Sequence, residues 1–178
     1  MLIDLDCDLC QLKQGRTKVV APAGDLFSPV VFVGEAPGEK EDLYGVPFVG
    51  RAGKLLDRIL EEEKLPRDSI MITNVVKCRP PGNRRPKQEE IEACLAYLED
   101  ELRGRELIVT LGKTASECIL GRDLKMKEVA NQIFTVSLRG ERIDVMPTYH
   151  PSAALRNLEA KEGLRNAIKT VKQRFPHF

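Results

Sequence analysis

The stretch Val30-Val31-Phe32-Val33, followed at once by Gly34-Glu35-Ala36-Pro37-Gly38, decides how this chain folds. Four apolar residues in unbroken succession, most of them β-branched, predict a strand buried on both faces, the habit of a parallel sheet. Gly34, Pro37 and Gly38 stop it, so the chain leaves the sheet at its carboxyl edge, where α/β folds gather their working loops. Downstream, Leu55, Leu56, Ile59 and Leu60 share one helical face between Gly53 and Pro66, and Ile70-Met71-Ile72-Thr73-Asn74-Val75-Val76 predicts the next strand. Together these make a βαβ unit. A Pro, Gly and Arg-rich loop over 78–86 precedes helical spacing over 88–102, marked by Ile91, Leu95 and Leu98. Leu107-Ile108-Val109-Thr110-Leu111 reads as a third strand, 113–120 as a short helix, 134–138 and 143–146 as a strand pair, and 151–174 mostly as the closing helix. The alternation predicts an α/β protein: one three-layer α/β/α domain over 1–178 around a central, mostly parallel four-stranded sheet.

Composition agrees with a single core. A chain of 178 residues buries roughly 70% of its unfolded surface, and 42% hydrophobic content supports that without disulfides. Lys plus Arg (28) nearly balance Asp plus Glu (27), so a nucleic-acid partner must be argued from local patches. No run of 18 apolar residues occurs, and MLIDLDCDLC is acidic where a secretory leader is basic. The expectation is a cytoplasmic protein with no membrane partner.

Five cysteines in a reducing compartment point to metal rather than disulfides. Cys7 and Cys10 form C-x-x-C, Cys78 opens the basic loop, and Cys94 lies on the following helix. Four thiolates suit tetrahedral zinc or an iron–sulfur cluster, and spacing alone does not separate them. Cys78 and Cys94 as small buried hydrophobes is the plainer alternative. Cys118, beside Ile119 and Leu120, reads as core.

Two phosphate-loop patterns fail. Gly112-Lys113-Thr114 follows a strand, but a Walker A loop needs a Gly where Leu107 stands, and Gly34-x-x-x-Gly38 lacks the G-x-G-x-x-G spacing. Three strand-end loops hold the unusual residues. Residues 34–48 (GEAPGEKEDLYGVPF) are acidic and end on a lone Phe48; 74–86 (NVVKCRPPGNRRP) sit in a patch of Lys77, Arg79, Arg84, Arg85 and Lys87 suited to phosphates; 149–157 (YHPSAALRN) carry His150 just past a strand. A solvated loop with a core Phe, a solvated basic turn and a structural His are the bland readings of the three. His177 reads as part of a frayed tail.

Taken in order, the paired N-terminal Cys, GEAPG, Glu41-Asp42 before G-x-P-F-V-G-x-A-G, T-N-V-V-K-C-R-P-P-G-N-R-x-P and the late His150-Pro151-Ser152 resemble the family four uracil-DNA glycosylases, the thermostable iron–sulfur type. The likeness runs from Cys7 to about Asn157. It implies a uracil-DNA glycosylase-like fold and a monofunctional DNA repair enzyme. Such an enzyme flips uracil out of single- or double-stranded DNA, hydrolyses the N-glycosidic bond and leaves an abasic site. It also implies a structural 4Fe-4S cluster on Cys7, Cys10, Cys78 and Cys94. By the same likeness Phe48 stacks on the base, Asn74 reads its edge, Glu35 and Ala36 adjoin it, and His150 donates to the departing oxygen. Ala36 stands where the long-known branch of the family has a water-positioning Asp, so the resemblance turns to Glu41 with Asn83. Glu41 could instead act by shape, because Gly38 replaces the Tyr that excludes thymine. Ser152, Arg84 and Arg85 would grip phosphates, and Leu155 would fill the vacated stack, one position later than the family's wedge Leu, whose place Ala154 holds. A monomer associated with the nucleoid, in contact with other repair or replication proteins, completes the expectation. A protein that traps uracil-DNA, or an iron–sulfur or zinc nucleic-acid-binding protein without glycosylase activity, are the alternatives.

Overall fold

In the computed structural model, which describes residues 2–178, the chain runs β1 (Ala23–Gly24), β2 (Val30–Gly34), α1 (Glu39–Tyr44), α2 (Arg51–Glu62), β3 (Met71–Asn74), α3 (Gln88–Leu102), β4 (Leu107–Leu111), α4 (Lys113–Leu120), α5 (Met126–Val129), β5 (Phe134–Leu138), β6 (Glu141–Thr148), α6 (Pro151–Ala154) and α7 (Leu158–Arg174). The strands form one six-stranded sheet in the order β1-β3-β2-β4-β6-β5. The four at its centre, β3-β2-β4-β6, are parallel, and an antiparallel edge strand on each side extends the expected four to six. β1 is too short to leave a periodic signal, and β5 joins β6 as a hairpin.

Every residue of β2 is buried. Val30 and Phe32 enter a core shared with Leu55, Leu56, Ile59 and Leu60 of α2 and with Leu164, Ala167, Ile168 and Val171 of α7. Val31 and Val33 enter a second core with Ile91, Cys94, Leu98 and Leu102 of α3. One strand therefore feeds both faces, and the three layers follow from its unbroken apolar run. In register, Gly34 of β2 stands opposite Asn74 of β3.

Three expectations change in detail. The second strand ends at Asn74, because Val75 and Val76 follow the neighbouring loop instead, donating to the carbonyls of Gly34 (2.9 Å) and Glu35 (3.2 Å). The closing helix breaks over 155–157, where Asn157 caps α7 by accepting from the Ala160 N–H at 3.0 Å. Within the acidic loop, residues 39–44 form α1, whose Glu41 side chain reaches back to the Gly38 N–H.

Candidate active site

The carboxyl ends of all four parallel strands meet at one cavity of about 620 Å³. Strand order reverses on the two sides of β2, the place where an open α/β sheet leaves a crevice. Glu35 follows β2, Asn74 ends β3, Lys113 and Thr114 open α4 after β4, and His150 follows β6; all line the cavity. Phe48, from the loop between α1 and α2, completes the wall with Ala36, Glu41, Asn83, Arg84 and Ser152. The Phe48 and His150 ring centroids are 5.6 Å apart, with planes inclined by 36°. Of the residues expected around the base and its phosphates, Arg85 and Leu155 lie outside this wall. Arg85 pairs with Glu117 at 3.1 Å beside a neighbouring groove, and Leu155 is half-exposed at the end of α6.

Asn74 is 3% exposed, and its Oδ1 is buried without a hydrogen-bond partner. Such an acceptor costs about 1–3 kcal/mol until a donor reaches it. Gly34 makes room for it: a Cβ there would lie 2.5 Å from Asn74 Oδ1 and 2.8 Å from Phe48 Cε2.

His150 caps α6. Its Nδ1 accepts from the Ser152 N–H at 3.0 Å and lies 2.8 Å from Ser152 Oγ, so the ring proton of the neutral form sits on Nε2. Burial pushes the His150 pKa down to about 4, against the opposing pull of the Glu41 carboxylate. The imidazole is therefore neutral at pH 7, with one N–H to give.

Glu41 is occupied by backbone. Its Oε1 accepts from Gly38 N–H (2.9 Å) and its Oε2 from Val49 (2.8 Å) and Gly50 (2.6 Å), across the starts of α1 and α2. No hydrogen bond joins it to Asn83, whose Oδ1 accepts from Arg79 Nε at 2.7 Å. Asp42 accepts from Thr17 (2.8 Å) and Lys18 (3.3 Å) N–H and stands outside the cavity wall.

The basic loop is not a bare positive patch. Lys77 is 1% exposed, and its Nζ donates to Thr73 Oγ1 (2.8 Å), the Asn74 carbonyl (2.5 Å) and Glu101 (2.6 Å). Arg84 makes a two-pronged bond to Glu90 (2.8 and 2.9 Å) and Arg85 turns to Glu117. The loop has no acid of its own; α3 and α4 supply them. Ser152, expected on a phosphate, bonds to His150.

Cys7, Cys10, Cys78 and Cys94 line a second, small cavity with Val19, Arg16 and Tyr97; Cys118 does not. All four are free of disulfides. Arg16 Nη1 lies 3.5 Å from Cys78 Sγ, while burial pushes the Cys78 thiol up to about 11 and Cys94 in the same direction. Among the described residues, no three His, Cys, Asp or Glu side chains are grouped to hold a single metal ion.

Lys40 and Arg51, which nothing in the sequence singles out, also line the cavity, as do Lys113 and Thr114; Thr114 Oγ1 donates to Glu35. Lys113 and Thr114 were findable: they follow a parallel strand at its carboxyl edge, even though they fail as a nucleotide loop.

The cavity at the strand ends presents an aromatic face, an unpaired amide oxygen and a neutral imidazole. The sequence pattern of the Uracil DNA glycosylase superfamily matches residues 21–172, and the chain belongs to that family. It is 40% identical over 174 residues to a Type-4 uracil-DNA glycosylase of Saccharolobus solfataricus, covering 94% of this chain and 81% of the relative. It is 45% identical over 160 residues to that of Thermotoga maritima (85% and 79%), and 39% over 173 residues to that of Archaeoglobus fulgidus (94% and 87%). No described helix is long and apolar enough to cross a membrane.

Proposed function

We propose that this chain excises uracil from DNA: it hydrolyses the N-glycosidic bond of an extruded deoxyuridine, releases the free base and leaves an abasic site for base excision repair. The observation that carries this is the buried, unpartnered Oδ1 of Asn74 in a cavity it shares with Phe48 and His150. Uracil offers an N–H beside a carbonyl, so one fixed amide accepts from the first and donates to the second. Cytosine reverses both and leaves buried atoms unpaired.

Extrusion costs a few kcal/mol of unstacking and unpairing. Stacking on Phe48 returns about 1–3 kcal/mol. As the bond breaks, negative charge gathers on the base and positive charge on the sugar. His150 Nε2–H donates to the base oxygen that becomes anionic, an interaction whose loss typically lowers the rate about 10²–10³-fold. The Glu41 carboxylate faces the cationic sugar. Its Oε1 accepts one N–H and so retains a lone pair for the attacking water, to which Asn83 donates from Nδ2. Glu35 and Ala36 adjoin the base. Lys40, Arg51 and Lys113, cationic side chains of the wall without a salt bridge among the described residues, meet flanking phosphates, with Ser152 and Arg84 beside them; from outside the wall, Arg85 reaches the same strand and Leu155 fills the vacated stack.

The same reading gives Cys7, Cys10, Cys78 and Cys94 a 4Fe-4S cluster. Four thiols on a mostly apolar wall suit it, and when bound it would supply the positive charge that keeps buried sulfurs as thiolates and tie the N-terminal segment to the basic loop. Incubation with uracil-containing oligonucleotides followed by alkali tests the activity. Strand breaks with the parent and none with Asn74→Ala or His150→Ala are expected; no uracil release at any salt concentration overturns it.

A further inference from the structure

Phe48 is buried and sits in the left-handed backbone region, with φ 54°. That conformation costs a bulky residue roughly 1–2 kcal/mol and persists only where its surroundings over-determine it. Three groups do so. Arg67, in the turn before β3, donates Nη1 to the Phe48 carbonyl (3.0 Å) and Nη2 to the Pro47 carbonyl (2.5 Å). Its Nη1 also meets Asp57 Oδ1 of α2 at 2.5 Å. On the other side of the Phe48–Val49 peptide, and on the next one, Glu41 takes the N–H groups of Val49 and Gly50. Beneath, Gly53 keeps α2 against the loop: a Cβ there would lie 2.8 Å from Phe48 Cα and nearer still to its carbonyl. Two carbonyls are thus held by a guanidinium and the next two N–H groups by a carboxylate, with the ring-bearing residue between them.

We propose that Arg67, anchored by Asp57, is a positioning residue for uracil excision: it clamps the Phe48 backbone in its left-handed conformation and so fixes the ring against which the base stacks. The inference rests on Phe48 being that stacking surface. Neither Arg67 nor Asp57 lines the cavity, so their effect on the reaction travels through the ring.

A double-mutant cycle tests it, using single-turnover uracil release from a labelled deoxyuridine oligonucleotide and a thermal melt of every variant. Phe48→Leu removes the π-face and is expected to lower release about tenfold, within the range for base–aromatic stacking. Arg67→Met is expected to lower it about tenfold in the parent and less than twofold in the Phe48→Leu background. An equal factor in both backgrounds means that Arg67 supports the fold at large, and overturns the proposal; so does an Arg67→Met variant with parental rates. Parental rates for Phe48→Leu alone defeat the stacking reading itself, a distinct result seen in one variant. Should Arg67→Met melt below the assay temperature, Arg67→Lys carries the same cycle, with an expected drop of about threefold that vanishes in the Phe48→Leu background.

Discussion

One methyl group at Gly34 separates a site built by close packing from one that merely gathers the right side chains. The Cβ of Gly34→Ala would fall 2.5 Å from Asn74 Oδ1 and 2.8 Å from Phe48 Cε2, where apolar contacts settle near 3.5–4.0 Å. β2 cannot yield, because it is fully buried and paired with β3 on one side and β4 on the other. The ring and the amide must therefore each shift by about 1 Å. A misplacement of that size costs on the order of 10²-fold in rate, and overpacking costs about 1–3 kcal/mol of stability. Gly15→Ala is the matched control, since its added methyl meets nothing within 4 Å. Single-turnover excision and thermal melts on both variants give the answer. A folded Gly34→Ala protein that releases uracil within threefold of the parent would refute the idea that Gly34 sets the spacing of Phe48 and Asn74.

Acid should weaken the fold through His150. Its folded pKa of about 4 lies below the ordinary 6.5, so stability is undiminished above pH 6.5 and drains away as pH falls toward 4, the loss reaching about 2–3 kcal/mol at pH 4.5. Urea melts at pH 7 and 4.5 on the parent and on His150→Gln should show the larger acid loss in the parent; equal losses would deny the burial effect. Lys77→Met strands Glu101 and is expected to cost about 3–5 kcal/mol, most of it recovered when Glu101→Leu is added; an unrecovered loss would mean packing rather than the ion pair dominates. Chelation of iron under reducing conditions is expected to bleach the proposed cluster and lower the melting temperature, as Cys94→Ser should. A colourless purified protein that melts identically after chelation would reject that cofactor.

The strands were legible because unbroken apolar runs admit few alternatives, and α3 begins and ends where the spacing of Ile91 and Leu98 places it. α1 was hidden: Leu43, its one aliphatic residue, is half-exposed, and the helix is set by Glu41 reaching Gly38 rather than by an apolar face. Phe48 and His150 stand out in their strand-end loops, but the roles expected of them and of Asn74 come from the resemblance to the glycosylase family, not from the loops alone. The fate of the basic loop was not legible, since Glu90, Glu101 and Glu117 are strung along two helices and reach it only in three dimensions. Arg67 gave no local signal at all, because its meaning lies in two carbonyls some twenty residues earlier.

The pairing of Gly34 with Asn74 makes the alignment of two strands a chemical instruction. Were β3 displaced by one position along β2, its side chains would exchange faces and Thr73 or Val75 would arrive where the carboxamide belongs. The displaced chain would put core residues toward the wrong layer at the same moment that it lost sight of the base. A register error of this kind would therefore cost sight of the base and packing of the interior together.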